Sequence, residues 1–169
     1  MSLASDLLAQ ARALAANEPR RPKQASLRRA VSAAYYALFH LLVEDAARQL
    51  SAAQPPGLRA KLQRAFSHGD MKNVCLQFGG VSGRSPQKLQ ALLSAQLAPG
   101  LVAVARAFVD LQEARHAADY DVSTDFNRAD ALSLIQKVEA AFSAWRGEKN
   151  SSDARVFLIA LLINERWHK

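Results

Sequence analysis

The sequence is short of the residues that most covalent and metal devices need. One cysteine, Cys75, among 169 residues excludes an internal disulfide framework and any multi-cysteine zinc site. Between Val74 and Leu76, it reads as a buried thiol rather than a nucleophile. Four histidines, His40, His68, His116 and His168, have no ligand-like spacing, so no metal or other cofactor is expected. Strand-like alternation is almost missing. The longest apolar run, Val156–Ile163, is far too short to span a bilayer. The opening MSLASDLLAQ lacks the basic flank and apolar core of a signal peptide, so the expected address is the cytoplasm, with no membrane contact.

What remains is helical material. Half of the residues are apolar and alanine is abundant, which predicts an all-α protein with a real core. The expected organisation is a helical bundle over residues 1–147, with a C-terminal helix within 148–169 packed on it or on a partner. The net charge is +7, and its placement is uneven. Segment 57–88 carries Arg59, Lys61, Arg64, Lys72, Arg84 and Lys88 against Asp70 alone. Basic clustering of this kind fits a polyanion such as RNA.

Leu27–Leu50 is the stretch on which the chain is built. It has no glycine or proline, and Leu27, Val31, Ala34, Leu38, Leu41 and Leu42 recur at helical spacing. Arg28, Ser32, Tyr36 and His40 follow at four-residue steps and share a second face. A first helix is expected over Ser2–Ala16, with Leu3, Leu7, Leu8 and Leu14 inward, ended by Asn17-Glu18-Pro19. Pro55-Pro56-Gly57 stops the central helix or follows just after its end. Short helices are expected at Leu58–Phe66, after a cap at Asp70, and at Pro86–Gln96 with Leu89, Leu92 and Leu93 buried. The intervening GGVSGRSP lacks the Gly-Lys-Ser/Thr ending and the preceding strand of a phosphate-binding loop, and reads as a plain loop.

Leu101–Ala118 reads as the second long helix, with Leu101, Val104, Phe108 and Leu111 as its stripe. Arg115 falls next on that stripe, so a guanidinium there must find a carboxylate, a ligand or solvent. Asp119 stands one turn on. Phe126–Arg146 follows, capped by Thr124 or Asp125 and ended by Gly147, with Trp145 inward. Ser151 or Ser152 opens the last helix, Asp153–Trp167. The acidic run from Asp119 to Asp130 fills several positions of a calcium loop. It lacks the sixth-position glycine and the final glutamate, and the competing reading is a polar connection that caps helices.

Two stretches, SAAYYALFH (Ser32–His40) and RHAADYD (Arg115–Asp121), resemble the HEPN superfamily, in particular a branch of small bacterial and archaeal proteins with S-x-AYYA-x-FH and R-x-x-ADYD signatures. The resemblance implies an antiparallel HEPN-like bundle, a four-helix core with extra short helices and a C-terminal helix. It also implies a homodimer whose signature polar residues meet in a cleft. Many HEPN domains are metal-independent ribonucleases, among them toxins paired with a nucleotidyltransferase antitoxin. Their motif is an arginine, four to six residues, then histidine. Arg115 fits the arginine, but no histidine follows at that spacing.

Metal-free RNA cleavage needs a base, an acid and stabilisation of phosphorane charge. Arg115 suits the last role, because its planar fork matches phosphate oxygens. His40 or His116 would have to serve as acid or base. Asp119 would orient Arg115, and Tyr120 would stack a base or donate to phosphate. Ser32, Tyr36 and His40 would face them, with Arg28 or Arg29 reaching phosphate. The expectation is therefore a module that binds nucleic acid or nucleotide, with a ribonuclease and a purely structural dimerisation domain as alternatives. In the structural alternative, Arg115 with Asp119 and Tyr36 with Ser32 form a polar network that ties two helices together.

Overall fold

The computed structural model describes residues 2–51 and 57–163. These residues form an all-α bundle with no strand among them. Seven α-helices follow in order: α1 (Leu3–Ala16), α2 (Gln24–Leu50), α3 (Leu58–Arg64), α4 (His68–Phe78), α5 (Pro99–Tyr120), α6 (Arg128–Glu148) and α7 (Ser152–Ile163). Single 3-10 segments lie at Val81–Gly83 and Gln87–Leu92. The expected stop at Pro55-Pro56 and the last turn of the C-terminal helix, 164–167, lie outside the described residues. No helix is long and apolar enough to cross a membrane.

The chain divides into two compact units, Met1–Leu41 with Ala107–Phe142, and Leu42–Arg106 with Ser143–Lys169. In the first unit the expected stripes of α2 and α5 are buried except at Leu41, which is half-buried: Leu27, Val31, Ala34, Leu38, Phe108 and Leu111 are at most 1% exposed. The first helix differs from expectation. Its buried face is Ala4, Leu8, Ala11 and Ala15, while Leu3 is 50% exposed. Small side chains on this face permit close helix approach, which a reading weighted toward leucine overlooks. The start of α1 follows its sequence closely, because the Ser2 hydroxyl accepts the Ser5 N–H.

Two arginines finish helices in this unit. A helix leaves its last carbonyls unpaired, and here each set is gathered by a guanidinium from another element. Arg128 donates from Nε to the Ala15 carbonyl (3.0 Å) and from its Nη atoms to those of Pro19 (2.7 Å), Asn17 (3.2 Å) and Glu18 (2.8 Å). Glu18 holds a left-handed φ of 52°, and its carboxylate accepts the Lys23 N–H at 3.1 Å, closing the turn. Arg28 treats the end of α5 in the same way. The start of α6 is capped by Asn127, not by Thr124 or Asp125. Asn127 Oδ1 accepts the Asp130 N–H (2.9 Å), and Asp130 Oδ2 accepts the Asn127 N–H (3.0 Å), a reciprocal capping box.

In the second unit, α4 packs on α7, and Met71, Val74, Cys75 and Phe78 of the one and Phe157 and Leu161 of the other are buried. The rings of Phe78 and Phe157 lie 5.0 Å apart and those of Trp145 and Phe157 lie 6.2 Å apart. Burial pushes the Cys75 thiol well above the ordinary range, consistent with a structural role. Several terminators differ from expectation. Ser67, not Asp70, caps α4. Gly147 lies inside α6, where the Lys149 N–H still reaches the Trp145 carbonyl at 2.9 Å. Ser151, one of the two expected openers, caps α7 by accepting the Ala154 N–H.

The expected Pro86–Gln96 helix is instead the tighter 3-10 turn Gln87–Leu92, with Leu89 buried and Leu92 58% exposed. Its chain then extends, and the Ser94 N–H donates to the buried Asp153 carboxylate at 3.0 Å. Gly79 permits a close crossing: an added Cβ would stand 2.9 Å from the Cys75 carbonyl and 3.0 Å from the Arg106 side chain. Arg106 Nε donates to the Gly79 carbonyl at 2.6 Å.

Candidate functional site

The candidate residues of the two resemblance stretches, together with Arg28 and Arg29, all lie in the first unit. From α5, Arg115 and Asp119 stand one turn apart and pair, Nε to Oδ2, at 2.7 Å. The Arg115 Nε–H is not aligned on the carboxylate, so charge attraction rather than a directed hydrogen bond holds this contact. From α2, the Ser32 hydroxyl donates to Asp119 Oδ1 at 3.0 Å. Arg115 Nη2 donates to the Tyr36 phenol oxygen at 3.1 Å. The network therefore crosses between helices. Ser32 serves Asp119 and Tyr36 serves Arg115, rather than Ser32 serving Tyr36 as in the structural alternative.

The Arg115 guanidinium also sits among aromatic rings. Its central carbon is 5.9 Å from the ring centre of Tyr35, 5.6 Å from Tyr36 and 5.5 Å from Tyr120. These are all three tyrosines of the chain. Tyr35 is buried and stacks edge-on against Phe108 at 5.5 Å, which fixes the floor of the cage. Tyr120 is 65% exposed, whereas the Arg115 side chain is 17% exposed. Burial opposes the charge on Arg115, but Tyr36, Asp119 and Tyr120 together raise its pKa above the ordinary arginine value. The group is a permanent cation with one wall open to solvent.

The two candidate histidines flank this cage. The His116 ring lies 5.1 Å from that of Tyr120 and is exposed. The His40 ring lies 6.3 Å from that of Tyr36 and 5.2 Å from that of Phe39. Each histidine contacts a tyrosine that itself contacts Arg115.

The structure gives Arg28 a different occupation from the phosphate contact expected of it. Its Nη1 donates to the carbonyls of Ala118 (3.0 Å), Asp121 (3.0 Å) and Ala117 (3.4 Å), and its Nη2 to that of Thr124. Its guanidinium also lies 5.9 Å from the Phe126 ring centre. Arg28 positions the turn that carries Asp119 and Tyr120. Arg29, one residue on, is exposed. The sequence reading also missed Gln24, whose amide clamps the Phe126 backbone. Its Nε2 donates to the carbonyl at 2.8 Å and its Oε1 accepts the N–H at 3.0 Å. The four-residue steps Gln24, Arg28, Ser32, Tyr36 were its only signal.

In the acidic run after α5, Asp121, Asn127 and Asp130 are spent on local bonds. Asp121 Oδ1 accepts the Ser123 N–H (2.9 Å) and hydroxyl (2.6 Å), and Oδ2 accepts the Thr124 hydroxyl (2.6 Å). Asn127 and Asp130 are used in the α6 cap. No group of three or more His, Cys, Asp or Glu side chains suited to a metal ion occurs among the described residues. The hydroxyls of Ser123 and Thr124 and the Ser123 N–H hold the Asp121 pKa down to about 2. A lowered folded pKa contributes stability above the ordinary value of 3.8, lost as pH falls toward 2. An NMR titration is expected to place the Asp121 midpoint near 2 and, in Thr124→Val, distinctly higher. A wild-type midpoint near 3.8 would show that the hydroxyl contacts do not persist.

The fold and site define an all-α helical protein with an arginine–carboxylate pair set in a tyrosine cage. No protein-family model, curated protein or solved structure matches the chain.

Proposed function

We propose that the chain is a HEPN-like module that binds nucleic acid or nucleotide, with Arg115 as the phosphate-facing cation. One observation carries this reading: a permanent guanidinium walled by three tyrosines, one of them 65% exposed and in contact with an exposed histidine ring. A planar cation beside open aromatic rings suits a phosphate together with its unstacked base. Asp119 and Ser32 hold the fork in orientation, and Tyr36 presents its hydroxyl beside it. By resemblance the working form is a homodimer, and the protein partner is of nucleotidyltransferase type. That pairing would be the setting of a toxin–antitoxin system.

The placement of His116 and His40, each one ring from Arg115, favours a metal-independent ribonuclease as the second reading. One experiment separates the readings. Wild type and Arg115→Ala, each verified as folded by circular dichroism, are incubated with total RNA in EDTA and titrated with a fluorescent single-stranded RNA. Binding without cleavage, weakened about tenfold or more in Arg115→Ala, is the expected result, the size following from loss of one charge-assisted phosphate contact. Cleavage by wild type alone makes the protein a ribonuclease. Equal affinity of both proteins, with a lower Tm for Arg115→Ala, leaves a structural network and overturns the proposal.

A further inference from the structure

The two units differ in charge in a way that the Arg115 site does not explain. The first contains nine basic and nine acidic residues, and the second thirteen basic and six acidic, so the whole net charge of +7 belongs to the second. Each unit engages some of its cations and leaves others exposed, Arg20, Arg21 and Arg29 among them in the first. In the first, Arg12 pairs with Glu139, Lys23 with Glu18, Arg115 with Asp119 and Lys137 with Asp110, while Arg28 and Arg128 are taken up by carbonyls. In the second, Arg59, Lys61, Arg64 and Arg84 are exposed, and no hydrogen bond or ion pair with another described residue engages their side chains.

Three of these four side chains come from α3 and the fourth from the residue after the 3-10 turn Val81–Gly83. Three project from α3, whose Leu58 and Leu62 are half-buried, so that helix turns its apolar side inward and its cations outward. Three residues separate α3 from α4, and the 3-10 turn preceding Arg84 packs against α4. Unpaired like charges repel one another and oppose folding. A polyanion would relieve that repulsion.

We propose that this face of the second unit is a sequence-independent docking surface for nucleic acid, gripping the phosphate backbone through Arg59, Lys61, Arg64 and Arg84. Two features select nucleic acid over other polyanions. No large apolar side chain is exposed between residues 57 and 88, so the face has neither the wedge that anchors a helix in lipid nor the aliphatic or aromatic anchor of a protein interface. Three of the four cations are arginines, whose forks match phosphate oxygens. No exposed aromatic ring lies in this stretch, so nothing there reads a base. The surface does not depend on the Arg115 reading.

The test measures affinity for a fluorescent 20-nucleotide single-stranded RNA between 50 and 200 mM salt. It compares the full chain, the variant Arg59→Gln/Lys61→Gln/Arg64→Gln/Arg84→Gln, and Arg115→Ala. All four substituted side chains are exposed, and circular dichroism verifies the fold. Loss of four phosphate contacts is expected to flatten the slope of log K against log salt by about 3. At 50 mM salt it is expected to weaken binding by one to two orders of magnitude. An unchanged slope and affinity in the fourfold variant overturns the surface whatever Arg115→Ala does. A loss in the fourfold variant with none in Arg115→Ala supports the surface and counts against the Arg115 reading. Polyglutamate or phosphatidylserine vesicles bound as tightly as RNA, with the same dependence on the four residues, would overturn the assignment to nucleic acid. So would a wild type that retains no RNA at 50 mM salt.

Discussion

Arg28→Ala is expected to lower stability by about 3 kcal/mol, a fall in Tm on the order of 10 °C for a chain of this size. The guanidinium serves four carbonyls at the end of α5 and in the following turn. Truncation leaves those part-buried acceptors without a donor and removes the contact with Phe126. Arg28→Lys should recover little, because a single ammonium cannot span four diverging acceptors. Since the turn carries Asp119 and Tyr120, loss of RNA or nucleotide affinity should accompany the loss of stability. Thermal and urea denaturation of both variants measure the effect. A change under about 1 kcal/mol in Arg28→Ala would show that water replaces the guanidinium without cost and that Arg28 does not organise the turn.

The second large effect concerns Asp45, which is 6% exposed on α2. Its Oδ2 accepts the indole N–H of the fully buried Trp145 at 2.7 Å, and its Oδ1 accepts from Arg48 at 2.6 Å. The Arg48 side chain is 55% exposed, so the ion pair contributes little. The indole bond is the larger contribution. Asp45→Ala leaves the indole N–H buried without an acceptor and removes packed atoms, a combined cost of about 2–4 kcal/mol. Asp45→Asn retains an oxygen acceptor of nearly the same shape and should cost about 1 kcal/mol or less. Urea denaturation followed by Trp fluorescence reads both. Equal losses in the two variants would mean that the charge, not the hydrogen bond, holds the position.

The long helices were legible because their apolar stripes are strict. Leu101, Val104, Phe108 and Leu111 are all completely buried, as their spacing implies. What failed was local. In α1 three of the four buried residues are alanines, which carry too little hydrophobic weight to outvote Leu3 and Leu14. Caps at Ser67 and Asn127 were assigned to neighbours, because several polar residues in a row offer the same chemistry and backbone geometry chooses among them. The segment after Pro86 contains enough leucine for a helix, yet the Ser94 bond to Asp153 holds its far end in an extended path. No local pattern reports a tether to a residue 59 positions away.

At the site, the four-residue steps on α2 and the Arg115–Asp119 spacing placed the right side chains on the right faces. Local periodicity cannot show which partner each side chain takes across helices. Hence the exchange of partners between Ser32 and Tyr36, and the assignment of Arg28 to carbonyls, emerge only from the folded arrangement. Tyr35 escaped notice for a similar reason. It falls between the two stripes read on α2, and no spacing marks it as a ring facing a guanidinium.

The clustering of tyrosines has a consequence for spectroscopy. Every phenol chromophore of the chain belongs to the first unit, beside the cation that binding would engage, whereas the indole of Trp145 belongs to the second. Ultraviolet difference absorbance of the phenols therefore follows occupancy at Arg115 without a label. Removal of Trp167, which lies outside the described residues, would leave Trp145 emission as a separate optical readout of the unit that carries the basic face. Phenol absorbance and Trp145 emission would then report separately on the two units.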